Sequence, residues 1–426
     1  MTPSTPGACN GSNELRRFLP ELDANGWRLM AAKLFRGFAF GLNAVVLGLY
    51  LAALDLPPQV IGLVLSAALA GTLGLTLVIA LFGDRIGRRR LLVMGSGLML
   101  LSAVIPLVGA NPLLLVLIGL SGMVAVTSSE STGLQSVDQA VLPQTVPDRQ
   151  RTAAFALYNL VAAAASAVGA LSVGPMVALG EALGLSGAAV YTPAFVTYAA
   201  AGLASTLLTA TLDARVEVGA RLERGFAIHR SRRTVAMLSG LFSLDALAGG
   251  FVVQSYLAFW FAARFAADPA MVGTLFAASN VLAAISFPVA AWLASRIGLI
   301  RTMVFSHIPS NLFLVGAALA PTIELAIVLM LGRAALSSMD IPARQSYTMA
   351  VVEPQERTAT AGVTSLARSV GQVLGPALAG ALLVPLGVGA PLIAGGVLKT
   401  TYDLALYAFF RSRPTPEEEL AVAARG

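Results

Sequence analysis

Five charged residues stand inside stretches that are otherwise oily: Arg36, Glu130, Asp245, Arg333 and Asp340. At the centre of a bilayer each costs at least about 2.5–3.5 kcal/mol, so each needs a partner, water or a use. A carboxylate among guanidinium groups suits proton exchange, because its protonation depends on burial and on which cation stands beside it. The expectation is that Asp245 or Glu130 carries a proton, with Arg36 or Arg333 as counter-charge. A fixed salt bridge clamping two halves of the molecule is the structural alternative, and direct recognition of a charged solute is a third. Arg333, Asp340 and Arg344 follow at i, i+7 and i+11 and so share one helical face. Asp340 and Arg344 are spaced to pair at i,i+4, and Pro342 between them bends that end of the helix.

Other polar groups in the apolar runs have plainer readings. Asn43 and Gln254 are mid-span amides that want a hydrogen-bond partner, which makes them the uncharged candidates for a solute site. Tyr50 suits either an interfacial belt or a substrate contact, whereas Trp260 reads as belt. Lys399 and Asp403 are spaced i,i+4 and read as an internal pair. Lys33 reads as snorkelling to the interface, and Arg368 as reaching the edge of a cavity. His307 reads as a helix-packing residue and His229 as part of a solvated loop. With two histidines and the single Cys9, no disulfide and no metal site is expected.

The elements that hold these groups follow from composition. Of 426 residues, 57% are hydrophobic and 12% charged, against about 45–50% and 25% in soluble domains. The excess is spread along the whole chain, so the protein is polytopic in a membrane. Arg16 and Arg17 precede no short apolar core with a small-residue cleavage site, so no cleaved signal peptide is expected. About 20 helical residues cross a bilayer core. Stretches of that length predict twelve spans, near 30–53, 59–82, 91–109, 113–142, 153–180, 191–212, 234–264, 271–294, 302–320, 323–343, 358–386 and 388–410. The breaks include LDLPP at 54–58, Asn111-Pro112, ADPA at 267–270 and Pro321-Thr322. A lipid-spanning backbone must satisfy itself, so these runs form an all-α bundle.

Net charge is +6, carried by 26 arginines and two lysines against 22 acids. Fourteen of the arginines lie in the loops after the second, fourth, sixth and eighth predicted spans. That asymmetry orients a membrane protein and leaves nothing that calls for nucleic acid. It puts those loops and both termini in the cytoplasm. The layout is a cytoplasmic segment (1–26), a six-span bundle (27–212), a charged linker (213–233), a second bundle (234–410) and a tail (411–426). The halves echo each other at an offset of 206: Asp138-Gln139 falls on Arg344-Gln345, Arg151-Thr152-Ala153 on Arg357-Thr358-Ala359, and Gly169 on Gly375. WLASRIGLIR (292–301) repeats part of the loop after the second span, with Ser295 where Asp84 stands. Two related bundles around a linker suggest a transporter.

Residues 80–90, ALFGDRIGRRR, resemble the loop 2–3 motif of the major facilitator superfamily (MFS), and the likeness extends over nearly the whole chain. Ala80 replaces the motif's leading glycine; Asp84, Arg85, Gly87, Arg88 and Arg89 match. The resemblance implies the MFS fold, with the first, fourth, seventh and tenth spans lining a central cavity, and the five charges fall on those four. It also implies a conformational latch of Asp84, Arg85, Gly87, Arg88, Asp138 and Arg344. In it Asp84 approaches the N-terminus of the eleventh span near Thr358, whose dipole favours a carboxylate. Arg88 bridges Asp84 to Asp138, and Gly87 permits the turn. The drug-antiporter motifs are incomplete: Ile118 stands where an arginine would, and only Gly174-Pro175 and Gly180 remain of the glycine motif.

The function expected is secondary transport by alternating access, in the form of proton-coupled efflux of a small organic or toxic compound. Proton-coupled uptake of a small polar metabolite is the alternative, and a non-transporting sensor a further one. A near-zero cavity charge argues against a strongly anionic solute. No nucleophile–base cluster or phosphate-binding loop points to an enzyme or an ATP-driven pump. Partners are the solute, protons and lipid, with no cofactor, and the protein is expected as a monomer in the bacterial inner (plasma) membrane.

Overall fold

In a computed structural model the residues described are 20–128, 133–147, 150–217, 230–353 and 356–412, and no strand occurs among them. Helices begin at the four expected breaks, and the first begins at Ala24, ahead of the expected residue 30. α1 (Ala24–Ala53) starts with the Asp23 carboxylate accepting the Gly26 N–H at 2.7 Å. α2 (Pro58–Ile86) opens on proline, whose fixed φ suits the first helical position. α3 (Arg88–Leu98) runs through a 3-10 stretch into α4 (Ile105–Val108), and Asn111 caps α5 (Pro112–Gly119). α6 (Gly133–Val141), α7 (Arg151–Leu171), α8 (Val173–Ala182) and α9 (Thr192–Ala210) complete the first half.

The second half comprises α10 (Arg232–Gly250), α11 (Gln254–Phe265), α12 (Pro269–Ile297), α13 (Leu299–Leu319), α14 (Ile323–Ser337), α15 (Asp340–Ala350), α16 (Arg357–Leu386) and α17 (Ala390–Phe410). Asp268 caps α12 and Thr322 caps α14. Of the linker, 214–217 forms a short 3-10 turn and 218–229, with His229, lie outside the described residues.

Ten helical stretches among the described residues are long and apolar enough to cross a membrane. The other two expected spans are α17 and the fourth, which is not continuous. Between α5 and α6 the backbone leaves the helix, with Gly122 at φ +78°. Irregular backbone at membrane depth survives where protein satisfies it. Here side chains of neighbouring helices do so. Thr72 donates to the Gly122 carbonyl at 3.2 Å, Asn43 to Ala125 at 2.9 Å, Ser166 to Ser128 at 3.1 Å, and Tyr198 to Met123. Residues 129–132, and Glu130 with them, lie outside the described residues. The seventh span also breaks, at 251–253, and the tenth at 338–339.

The two halves share one apolar core at one end only. That cluster draws on both, with Leu47, Tyr50, Leu65 and Val124 packed among Tyr256, Trp260, Leu275 and Leu383. At the other end, where the arginine-rich loops lie, each half has a core of its own. One holds Leu92, Val137, Tyr158 and Leu212; the other holds Leu238, Met303, Tyr347 and Leu406. At the shared end α2 crosses α16 with no room between backbones: a Cβ on Gly62 would strike the Pro376 carbonyl, and one on Gly380 the Pro58 carbonyl. Ser66 accepts the Ala377 N–H there at 2.9 Å. The bundle is therefore closed at one end and parted at the arginine-rich end.

Candidate functional site

Asp245, on α10, gathers three cations from three other helices. Its Oδ1 accepts from Lys399 Nζ of α17 at 2.6 Å. Its Oδ2 accepts from Arg368 of α16 at 2.9 Å and from Arg344 of α15 at 3.4 Å. Arg344 also donates to Asp340 at 2.6 Å, the expected i,i+4 pair. The guanidinium of Arg344 lies over the Phe242 ring at 5.7 Å. Arg333 lies on α14, separated from Asp340 and Arg344 by the break at 338–339, and is within Coulombic reach of Asp245. Its Nε is buried, and among the described residues it makes no hydrogen bond or ion pair.

One helical turn beyond Lys399, Asp403 takes a different pair. His307 Nδ1 stands 2.9 Å from its Oδ1, and Asn311 donates to its Oδ2 at 2.8 Å, both from α13. Asp403 is fully buried and His307 nearly so. The reading of Lys399 and Asp403 as an internal pair is thus corrected, because each finds a closer partner on a facing helix. Arg368 is more than a residue at a cavity edge, since it holds Asp245 directly.

In the first half the charges pair among themselves. Arg36 of α1 donates to Asp138 of α6, and both side chains are fully buried. Tyr158 donates to the same carboxylate oxygen at 2.7 Å, and Ser205 accepts from Arg36 at 3.3 Å. Lys33 lies over the Tyr158 ring at 4.7 Å and is 2% exposed, so it is held inside the protein and does not snorkel. The counter-charge of Arg36 is therefore Asp138, not Asp245, and Arg36 and Arg333 are not the groups that hold Asp245. The ion pairs given among the described residues for Arg36, Arg344, Arg368 and Lys399 each stay within one half. The offset of 206 lays Asp138 on Arg344 and places Arg36 at Phe242, one turn from Asp245. Each half thus pairs its first helix with its fourth, with the signs exchanged.

Between the clusters runs a polar seam joining the halves at the breaks. Gln254 Oε1 accepts the Ser128 N–H at 3.2 Å, and Val126 accepts the Ser255 N–H at 3.1 Å. Ser128 donates to Asn280 at 2.9 Å, and Ser255 to the Ala44 carbonyl at 2.8 Å. Asn43 Oδ1 and Gln254 Nε2 are buried without a partner among the described residues, an acceptor and a donor at the junction. Tyr50 donates to the Ile105 carbonyl at 3.2 Å. Trp260 is fully buried in the shared core and does not belong to an interfacial belt.

The loop before α3 has a different set of partners from those expected. Gly87 takes φ +93°, the turn its residue type permits. Glu217 then accepts the N–H groups of Arg88 at 2.7 Å and Arg89 at 3.0 Å, capping α3. The Arg88 side chain donates to the carbonyls of Ala140 and Val216, and Arg89 to that of Ala210. Arg88 therefore does not bridge to Asp138, which is occupied by Arg36, and Arg344 lies with Asp245 and Asp340. Arg85 is exposed, and the side chains of Asp84 and Thr358 lie outside those described. No local spacing points to Glu217, which sits 129 residues along the chain from the N–H of Arg88 that it accepts.

A family profile described as Major Facilitator Superfamily matches residues 29–261 and 238–425. An uncharacterized membrane protein of Saccharomyces cerevisiae is 26% identical over 416 residues, 90% of this chain and 93% of that protein. The solved nucleoside transporter NupG superposes with a TM-score of 0.71 at 13% identity, over 91% of this chain and 100% of that one. A D-xylose-proton symporter gives 0.68 at 14% identity, over 92% and 98%. A bacterial homologue of the human lysosomal transporter Spinster, inward-facing, gives 0.68 at 16%, over 92% and 99%.

Proposed function

Because the chain belongs to the Major Facilitator Superfamily, we propose that this secondary transporter is proton-coupled, carries a small organic solute, and uses Asp245 as the group on which coupling turns. The observation that carries this reading is one buried carboxylate shared by Lys399, Arg368 and Arg344. Removing a cation from such a carboxylate, or adding a proton to it, changes the charge balance of four helices at once. Taking one partner from a buried ion pair leaves an uncompensated charge, so loss of a cation and gain of a proton at this carboxylate are energetically linked. At the arginine-rich end each half keeps its own core, and the arginine bias of the loops makes that end cytoplasmic. Rocking the halves about the shared seam then exposes the site alternately.

Export of a small organic or toxic compound by antiport requires proton and solute to compete for the carboxylate. Uptake of a small polar metabolite by symport requires them to load together. The glycine stretch that would favour antiport packs helices instead, with Gly169 against the Phe38 carbonyl and Gly174 against Ala270. The latch of Asp84 on the eleventh span belongs to the opposite state, in which the arginine-rich end closes.

The test begins with a thermal-shift screen of purified protein at two pH values to find a stabilising compound. That compound is then followed into proteoliposomes across an imposed pH gradient. Uptake that follows the gradient and is lost in Asp245→Asn supports the proposal. Uptake indifferent both to the gradient and to Asp245→Asn overturns it.

A further inference from the structure

We infer that the transported solute carries an anionic group, a carboxylate or a phosphate ester, and that Arg333 and Arg368 receive it. This rests on the proton-coupled reading above and names its substrate class.

The argument is one of charge and partners. The second-half cluster holds four cations, Arg333, Arg344, Arg368 and Lys399, against three carboxylates, Asp245, Asp340 and Asp403. Asp403 is already engaged by His307 and Asn311. Two carboxylates therefore serve four cations, and Arg333 is the one left without an acceptor among the described residues. Arg333 is partly buried and its Nε has no acceptor among the described residues, so an incoming anion supplies hydrogen bonds that the protein does not. The near-zero cavity charge expected from sequence set Arg36 and Arg333 against Glu130, Asp245 and Asp340; the second-half cluster taken by itself, with Arg344, Arg368, Lys399 and Asp403, carries an excess of cations.

Position agrees with charge. Arg333 lies on α14, ahead of the break at 338–339, and its charge is within Coulombic reach of Asp245, which puts it beside the cluster. The Arg368 side chain retains 31% exposure while Asp245 retains 4%, so the guanidinium is reachable where the carboxylate is not. The planar fork of arginine matches carboxylate and phosphate oxygens two at a time. Across the seam, Asn43 Oδ1 and Gln254 Nε2 offer an acceptor and a donor to the neutral part of the solute.

Coupling follows without a further assumption. An anion that draws Arg368 off Asp245 leaves that carboxylate with Lys399 on Oδ1 and only the longer Arg344 contact on Oδ2, and Oδ2 then takes a proton from hydronium, which leaves as water. Solute and proton load together, their charges cancel, and the transporter runs as a symporter. The groups that face Asp245 in this exchange are Lys399 and Tyr402 from α17, Arg368 from α16, Arg344 and Asp340 from α15, Arg333 from α14 and His307 from α13.

The experiment is a thermal-shift and calorimetric comparison on the purified full chain with matched probes. One arm holds carboxylates (succinate, citrate, benzoate) and a second holds phosphate esters (glycerol 3-phosphate, glucose 6-phosphate). The controls are their uncharged counterparts (succinamide, benzamide, glycerol, glucose) and cations (choline, benzylamine). The expected result is stabilisation confined to one anionic arm, which also tells carboxylate from phosphate. Affinity for that anion should fall about 10- to 100-fold in Arg333→Gln, the worth of hydrogen bonds to a charged group. Arg333→Lys should recover part of it, and Arg368→Gln serves if Arg333→Gln does not fold. Stabilisation by neutral or cationic probes alone, no stabilisation by any anion, or wild-type anion affinity in the folded arginine variants overturns the inference. Gradient-driven uptake of a neutral solute would overturn it while leaving the proton-coupled reading intact. Anion binding with gradient-independent transport would do the reverse.

Discussion

Removing one partner of a buried ion pair leaves a charge with nothing to balance it, which makes Arg36 and Asp138 the plainest residue-scale test. Asp138→Leu alone should cost about 3–5 kcal/mol, whereas the double change Arg36→Met with Asp138→Leu should recover most of that loss. Thermal unfolding in detergent reads both, and equal damage from the single and double variants would show that the pair is not the unit. Lys399→Met should behave differently, since Asp245 keeps Arg368 and Arg344: a loss of transport with little loss of stability. At this scale the sequence displayed the groups but not their pairing. Arg36, Asp245, Arg333 and Asp340 stood out as charges in oil, and Arg344 by its spacing to Asp340. Lys399 and Arg368 were visible but had plainer readings, because their partner Asp245 lies 154 and 123 residues away and no local spacing points to it. The i,i+4 pair of Asp340 and Arg344 was legible because it lies within one helix.

Helix ends were legible for a related reason. Asp23, Asn111, Asp268 and Thr322 are local capping signals that act within three residues. The interruption of the fourth span was not, because it persists through side chains of other helices, Thr72, Asn43, Ser166 and Tyr198. Gly87→Ala should destabilise the loop before α3 by about 1–2 kcal/mol, since φ is positive there and a Cβ would lie 2.8 Å from Glu217 Oε2. Glu217→Gln keeps the cap's hydrogen-bond acceptor but removes its charge, and should cost a few tenths to about 1 kcal/mol. Proteolysis of the loop after Ile86 would read either loss. Gly62→Val should disfavour the closed end directly by forcing α2 and α16 apart, seen as a new preference for the opposite arrangement.

For the whole molecule, the repeat at an offset of 206 made two related bundles legible in the chain itself. Their relative tilt was not legible, because no residue pattern states which end is closed. The tilt follows from one shared core at one end and separate cores at the other. If the proposed latch forms at the arginine-rich end in the alternate state, Asp84→Asn should lower transport while membrane insertion stays intact. Normal transport by that variant would remove the latch.

The central claim is that protonation acting through Asp245 biases this rocking. It is tested most directly by measuring the distance between α2 and α16 at the arginine-rich end as pH is varied. Spin labels at Leu81→Cys and Val363→Cys, both exposed positions, in a Cys9→Ser background report it by pulsed electron resonance, with no solute required. The account predicts that the distance distribution shifts between a parted and a closed population with pH, and that Asp245→Asn holds one population at every pH. A distribution that ignores pH, or an unchanged pH response in Asp245→Asn, would contradict it.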